Sequence, residues 1–189
     1  MARMRIWLPV LAALWCVAAS ADDYTDTVAL FKQASETHAF FDSAYGYAVF
    51  PTVGKGGLVV GAAHGRGRAY VHGLYVGDVS LTQLSIGAQA GGQAYSQIVF
   101  FENQGAFDEF AKGSYEFGAD INAVAITAAA GASVGTTGAS AGASGGMHDA
   151  VAAARYYKGV AVFTIVKGGA MYQATVAGQK FHYQPRAKG

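Results

Sequence analysis

Charge is scarce in this sequence. Asp, Glu, Lys and Arg make up 13% of its 189 residues, about half the usual share. The 13 basic residues nearly balance the 12 acidic ones, for a formal net charge of +1. Bulk electrostatics therefore give no pull toward nucleic acid, and any anion binding has to come from a local cluster. There is one cysteine, Cys16, in an N-terminal stretch that reads as a leader. Arg3 and Arg5 precede an apolar run from Ile6 to Val17, followed by Ala19-Ser20-Ala21 before Asp22, the pattern of a secretory signal peptide over 1–21. The run is shorter than the roughly 20 apolar residues a transmembrane helix needs. Trp15 beside Cys16 argues against lipoprotein processing, which normally has a small residue there. Once the leader is cleaved the chain has no cysteine, so disulfides are excluded and burial must supply the stability. Arg3 and Arg5 leave with it, so 11 basic residues face 12 acidic ones and the net charge becomes −1. The expected product is an exported protein, periplasmic or secreted.

Catalytic and cofactor patterns are also missing. Gly-x-Ser-x-Gly occurs at Gly131–Gly135, Gly138–Gly142 and Gly142–Gly146, but a nucleophile elbow needs a strand, a strained turn and a helix with a downstream acid and His. Repeated matches in a low-complexity tract are what chance produces, and His148-Asp149 does not change that. His38, His64 and His72 lack zinc-motif spacing, and no Gly-Lys-Ser or Gly-Lys-Thr completes a phosphate loop at Lys55. No enzyme, metal or cofactor is expected.

What is present is small and apolar: 52% hydrophobic residues and 26 glycines, with room for one domain over 22–189. The stretch Tyr45–Tyr70 couples a short strand, Tyr47–Phe50, to a Pro-and-Gly turn carrying Lys55 and a second apolar run ending on Arg66 and Arg68. Ala161-Val162-Phe163 and Lys167-Gly168-Gly169 echo Ala48-Val49-Phe50 and Lys55-Gly56-Gly57 near the C-terminus, with Lys180 placed after Lys167 as Arg68 is after Lys55. An internal repeat is one reading of this; chance in a Gly- and Ala-rich chain is the other.

In chain order, Val28, Phe31, Ala34, His38 and Phe41 give helical spacing from Tyr24 to Ser43, with Asp22, Asp23 and Asp26 at the favourable end of the dipole. This helix either packs on the domain or lets Leu30, Phe31, Phe40 and Phe41 dip into a bilayer interface, although it lacks the usual Lys and Arg face. Arg68–Val76, a turn at Gly77-Asp78, alternation through Leu84, Ile86, Ala88 and Ala90, and Tyr95–Phe101 predict an antiparallel meander. Asn103 caps a short helix that ends at Lys112-Gly113. An extended run from Ile121 carries on to about Val134, followed by a Gly/Ala/Ser-rich loop around 135–149. Four short strands then fit, Ala153–Tyr157, Val160–Val166, Ala170–Val176 and Lys180–Gln184. The fold class is α+β, mainly β: a curved antiparallel sheet or partly closed barrel flanked by an N-terminal helix and one short internal helix.

Three segments, AVFPTVGKGGLVVGAAHGRGRAYV, SIGAQAGGQAYSQIVFFENQGAFDEFAKGSYEFGADINAVA and AVFTIVKGGAMYQATVAGQKFHYQP, together resemble the SYLF lipid-binding domain in its bacterial secreted branch. The resemblance covers nearly all of the chain after the leader. In eukaryotic members this domain binds phosphoinositide-rich membranes through a basic surface, and some members bind actin. The resemblance implies a non-enzymatic envelope protein that binds an anionic phospholipid or another envelope amphiphile by peripheral membrane contact. Lys55, Arg66 and Arg68 would form the basic surface, joined by Lys167 and Lys180. A structural or protein-interaction module of the envelope, with an unnamed protein partner, is the rival reading.

Overall fold

The computed structural model describes residues 22–112, 115–117, 124–126 and 155–187. The leader over 1–21, the run expected beyond residue 126 and the loop at 135–149 lie outside them. Where the 3.6-residue pattern predicts one helix from Tyr24 to Ser43, the chain forms two, α1 (Asp22–Gln33) and α2 (Ser35–Ser43). Ala34 between them is extended, at φ −83° and ψ 125°. The break is held by Thr37, whose buried hydroxyl meets the carbonyl oxygens of Phe31 and Ala34, the latter at 2.9 Å. A threonine hydroxyl that satisfies carbonyls locally competes with helix continuation.

The strands are fewer and much longer than turn signals suggest: β1 (Gly46–Gly57), β2 (Val60–Val71), β3 (Leu74–Phe101), then helix α3 (Gln104–Ala111), β4 (Tyr115–Phe117), β5 (Val124–Ile126) and β6 (Val160–Pro185). The expected turn at Gly77-Asp78 is strand. The chain reverses instead at His72-Gly73, both with positive φ (48° and 79°), a left-handed pair suited to a two-residue hairpin. The strands expected at Val160–Val166, Ala170–Val176 and Lys180–Gln184 are one strand, and of Ala153–Tyr157 the described residues show a single bridge, Tyr157 to Val160. Asn103 caps α3 as its type predicts, accepting the Ala106 N–H at 3.0 Å.

Strand β3 bends so that its first half pairs with β2 and its second half with β1, while β1 and β2 pair with each other. Strand β6 follows β3 along its whole other edge, from Gly77↔Pro185 to Phe101↔Val160. β4 pairs antiparallel with the last third of β6 and β5 parallel with its start. Among the described residues no ladder joins β4 to β5, so the antiparallel sheet is curved and unclosed.

Two cores result. The inner face carries Phe50, Val53, Leu81, Val99, Phe101 and Phe181, covered at one end by Phe107 and Phe110 of α3. The outer face of β1, β3 and β6 is covered by the N-terminal helices, with Phe31 and Phe40 packed around Val49, Ile98, Phe100 and Phe163. Phe40 and Phe163 meet edge to face at 4.9 Å between centroids, as do Phe41 and Phe100. Of the four side chains considered for a bilayer, Phe31 and Phe40 are buried and Leu30 and Phe41 are half-buried against this core. In this conformation they face protein.

Candidate functional site

Pro51 decides where Lys55 points. Proline brings no N–H to the ladder, and β1 carries a bulge between Val49 and Thr52. One extra residue exchanges the faces. Ala48 and Phe50 point inward before it, and Val53 and Lys55 point inward after it. Lys55 therefore lies in a strand, not in an exposed turn, and is 9% exposed. Burial pulls its ammonium below the usual lysine pKa.

The two matching segments also present opposite faces, and they do so before the bulge in β1 is reached. Ala48 and Phe50 belong to the inner core and Val49 to the outer one, whereas Ala161 and Phe163 belong to the outer core and Val162 to the inner one. The two segments flank the second half of β3 with their side chains reversed. Lys167 accordingly faces out where Lys55 faces in.

The other four cations expected in the basic surface, Arg66, Arg68, Lys167 and Lys180, lie on the outer face. Arg68 is tied to the fold. Its guanidinium carbon lies 4.3 Å from the Tyr24 ring centroid and 5.2 Å from that of Tyr75, and its Nε is 4.0 Å from Asp78 Oδ1. Tyr24 is thereby fastened to β2, so this arginine anchors α1. Arg66 and Lys167 are exposed and converge on Thr52. Arg66 is its cross-strand neighbour and Lys167 Nζ donates to its hydroxyl at 3.3 Å. Arg66 is also paired in register with Ser80, which faces His182 on β6. One step along the strands, His64, Thr82 and Lys180 form the next row, with Glu116 beyond Lys180. Among the described residues no ion pair within 4.0 Å engages Arg66, Lys167 or Lys180.

Two histidines thus join the basic rows: His64, weighed from sequence only as a metal ligand, and His182, which the sequence did not single out. A second group was missed because its residues are uncharged. Gln83, Ser85, Tyr95 and Gln97 are buried on the inner face beside Lys55. Gln97 Nε2 donates to Gln179 Oε1 at 3.0 Å, Gln179 Nε2 donates to Gln83 Oε1 at 3.0 Å, and the Tyr95 hydroxyl lies 3.5 Å from the same Gln83 oxygen. Burial raises the Tyr95 hydroxyl pKa strongly. The period-two pattern through Leu84 and Ile86 is real, but its apolar members point outward: Leu84 is 64% and Ile86 69% exposed, while Gln83 and Ser85 are buried.

Because Lys55 is shielded on the inner face, Lys55→Met is expected to leave association with anionic vesicles within about twofold of the parent. A loss of the size expected below for the outer cations would show that this lysine reaches lipid.

No helix among the described residues is long and apolar enough to cross a membrane, and none of their His, Asp and Glu side chains gather in threes around a metal-sized site. Residues 82–188 match the model of the Ysc84 family, described as Las17-binding protein actin regulator. The chain is also 26% identical to beta cell expansion factor A of Aeromonas veronii over 159 residues. That match covers 83% of this chain and 52% of the relative, so the chain spans about half the length of that curated protein. No solved structure matches it.

Proposed function

The chain belongs to the Ysc84, or SYLF, family, whose eukaryotic members bind lipids and actin, and from that premise we propose that it is a non-enzymatic protein that docks on anionic phospholipid. The observation that carries the reading is the pair of neighbouring rows holding Lys167, Arg66 and His182, then His64 and Lys180, all exposed on the outer face of the sheet. Arg offers a planar two-point contact to phosphate and Lys a point charge. Each cation held near an anionic membrane contributes about 1 kcal/mol, so Arg66, Lys167 and Lys180 together support weak, reversible docking that salt screens. The place of action on this reading is an envelope membrane reached through the leader at 1–21. An export signal and a lipid-binding surface fit one another.

Co-sedimentation of the full chain with vesicles tests it. Vesicles containing phosphatidylglycerol should retain the protein, and pure phosphatidylcholine vesicles should retain much less. The triple variant Arg66→Gln/Lys167→Gln/Lys180→Gln should weaken anionic binding about 100-fold, three contributions of about 1 kcal/mol each. Equal retention on both vesicles, or an unchanged triple variant, rejects the mechanism. Recovery of a stable protein complex with no vesicle binding favours the protein-interaction reading.

A further inference from the structure

The two ends of the sheet have opposite polarity. Near α3 the inner rows are apolar, Val53 with Leu81 and Phe181, and the outer rows carry Arg66, Ser80 and His182. From the row of Lys55, Ala63, Gln83 and Gln179 toward the β1–β2 turn, the inner face becomes polar. The outer face over the same length becomes apolar, with Ala62 beside Leu84 and Val60 beside Ile86. The turn itself is Leu58-Val59. Leu58 and Val59 are each 70% exposed and Val60 61%. Water does not favour such an arrangement, whereas strands in contact with hydrocarbon show it: apolar outward, polar inward.

We propose that this tip, Leu58, Val59, Val60, Leu84 and Ile86, inserts into the acyl region of one leaflet of an anionic bilayer. The inference rests on the lipid-docking reading above and adds the element that enters the membrane. Spacing and charge both select a bilayer as the occupant. Antiparallel strands rise about 3.4 Å per residue, so the row of Ala62 and Leu84 lies about 7 Å behind Val60 and Ile86, and the row of His64 and Lys180 about 14 Å behind. Interfacial elements sink about 5–10 Å into the headgroup and acyl boundary. A tip at that depth brings His64 and Lys180 to the phosphates, with Arg66 and Lys167 one row further out. The hairpin is narrow enough for this. Gly57 faces Gly61 so closely that a Cβ would lie 2.4 Å from the Gly61 Cα.

A tryptophan at the turn reports the insertion. Trp7 and Trp15 are the chain's two tryptophans, so the full chain with Trp7→Phe, Trp15→Phe and Val59→Trp carries a single emitter at the tip. On phosphatidylglycerol-containing vesicles its emission should shift to the blue, and bromine atoms on the acyl chains should quench it at least twofold. The variant Leu58→Ser/Val59→Ser/Ile86→Ser should keep its melting temperature, because these side chains are exposed, and should lose at least tenfold in retention at high salt. Vesicle binding with unshifted, unquenched emission overturns the insertion and leaves headgroup docking standing. Failure to bind any vesicle removes the docking reading and the insertion with it. A blue shift without vesicles, together with a dimer mass, overturns the insertion in favour of a second copy of this chain on the tip.

Discussion

Phe101→Ala is expected to lower the unfolding free energy by about 3–5 kcal/mol, the range for deleting a fully buried aromatic side chain. Phe101 is 0% exposed and stands where the sheet meets α3, with the Phe110 ring at 4.6 Å and the Phe107 ring at 5.5 Å. Its backbone pairs with Gly46 on one side and Val160 on the other. The vacated volume thus lies between elements fixed from three directions and cannot readily collapse. Urea unfolding should show a lower midpoint with an unchanged slope. A loss under about 1.5 kcal/mol would mean that α3 settles into the gap.

Gly67→Val is expected to destabilise by about 3 kcal/mol, the upper end of the usual overpacking range. A Cβ at Gly67 would lie 2.6 Å from Phe50 Cδ1 and 2.7 Å from the Val49 carbonyl oxygen. The ring has little room to turn, because Phe50 is fully buried with the Phe181 ring at 5.7 Å. A backbone oxygen cannot turn away at all. Gly54→Val is the matched control on the neighbouring strand, since a Cβ there has nothing within 4 Å. It should be neutral or slightly stabilising, as a β-branched residue in an open strand position normally is. Equal effects at both sites would show that chain entropy, not the contact with Phe50, sets the cost.

The helix α3 was legible because its signal is local: Asn103 at the cap and Phe107 and Phe110 on one side. The mainly β class and the antiparallel pairing were legible from alternation. Strand length was not. Gly77-Asp78 and Lys167-Gly168-Gly169 look like turns, but both lie inside long strands, the second at a bulge between Val166 and Gly168 opposite β3. Side was not legible either. Period two separates Gln83 and Ser85 from Leu84 and Ile86 without saying which set faces in, and here the answer reverses along the strand. Lys55 failed as a surface residue for a related reason. A single extra residue at Pro51 transfers the rest of β1 to the opposite face, so Lys55 is buried on the inner side while Arg66 and Lys167, on other strands, are exposed.

The pairing of β3 with β6 also orders events during synthesis. Gly77 has its partner about a hundred residues later, at Pro185, so a chain leaving the ribosome N-terminus first makes β3 long before anything can occupy that edge. Nascent chains would carry an open, apolar strand of 28 residues until translation is almost complete. Such edges invite pairing with neighbouring chains, and contacts so distant in sequence form slowly. Covering of that edge should therefore come late, once β6 has been made.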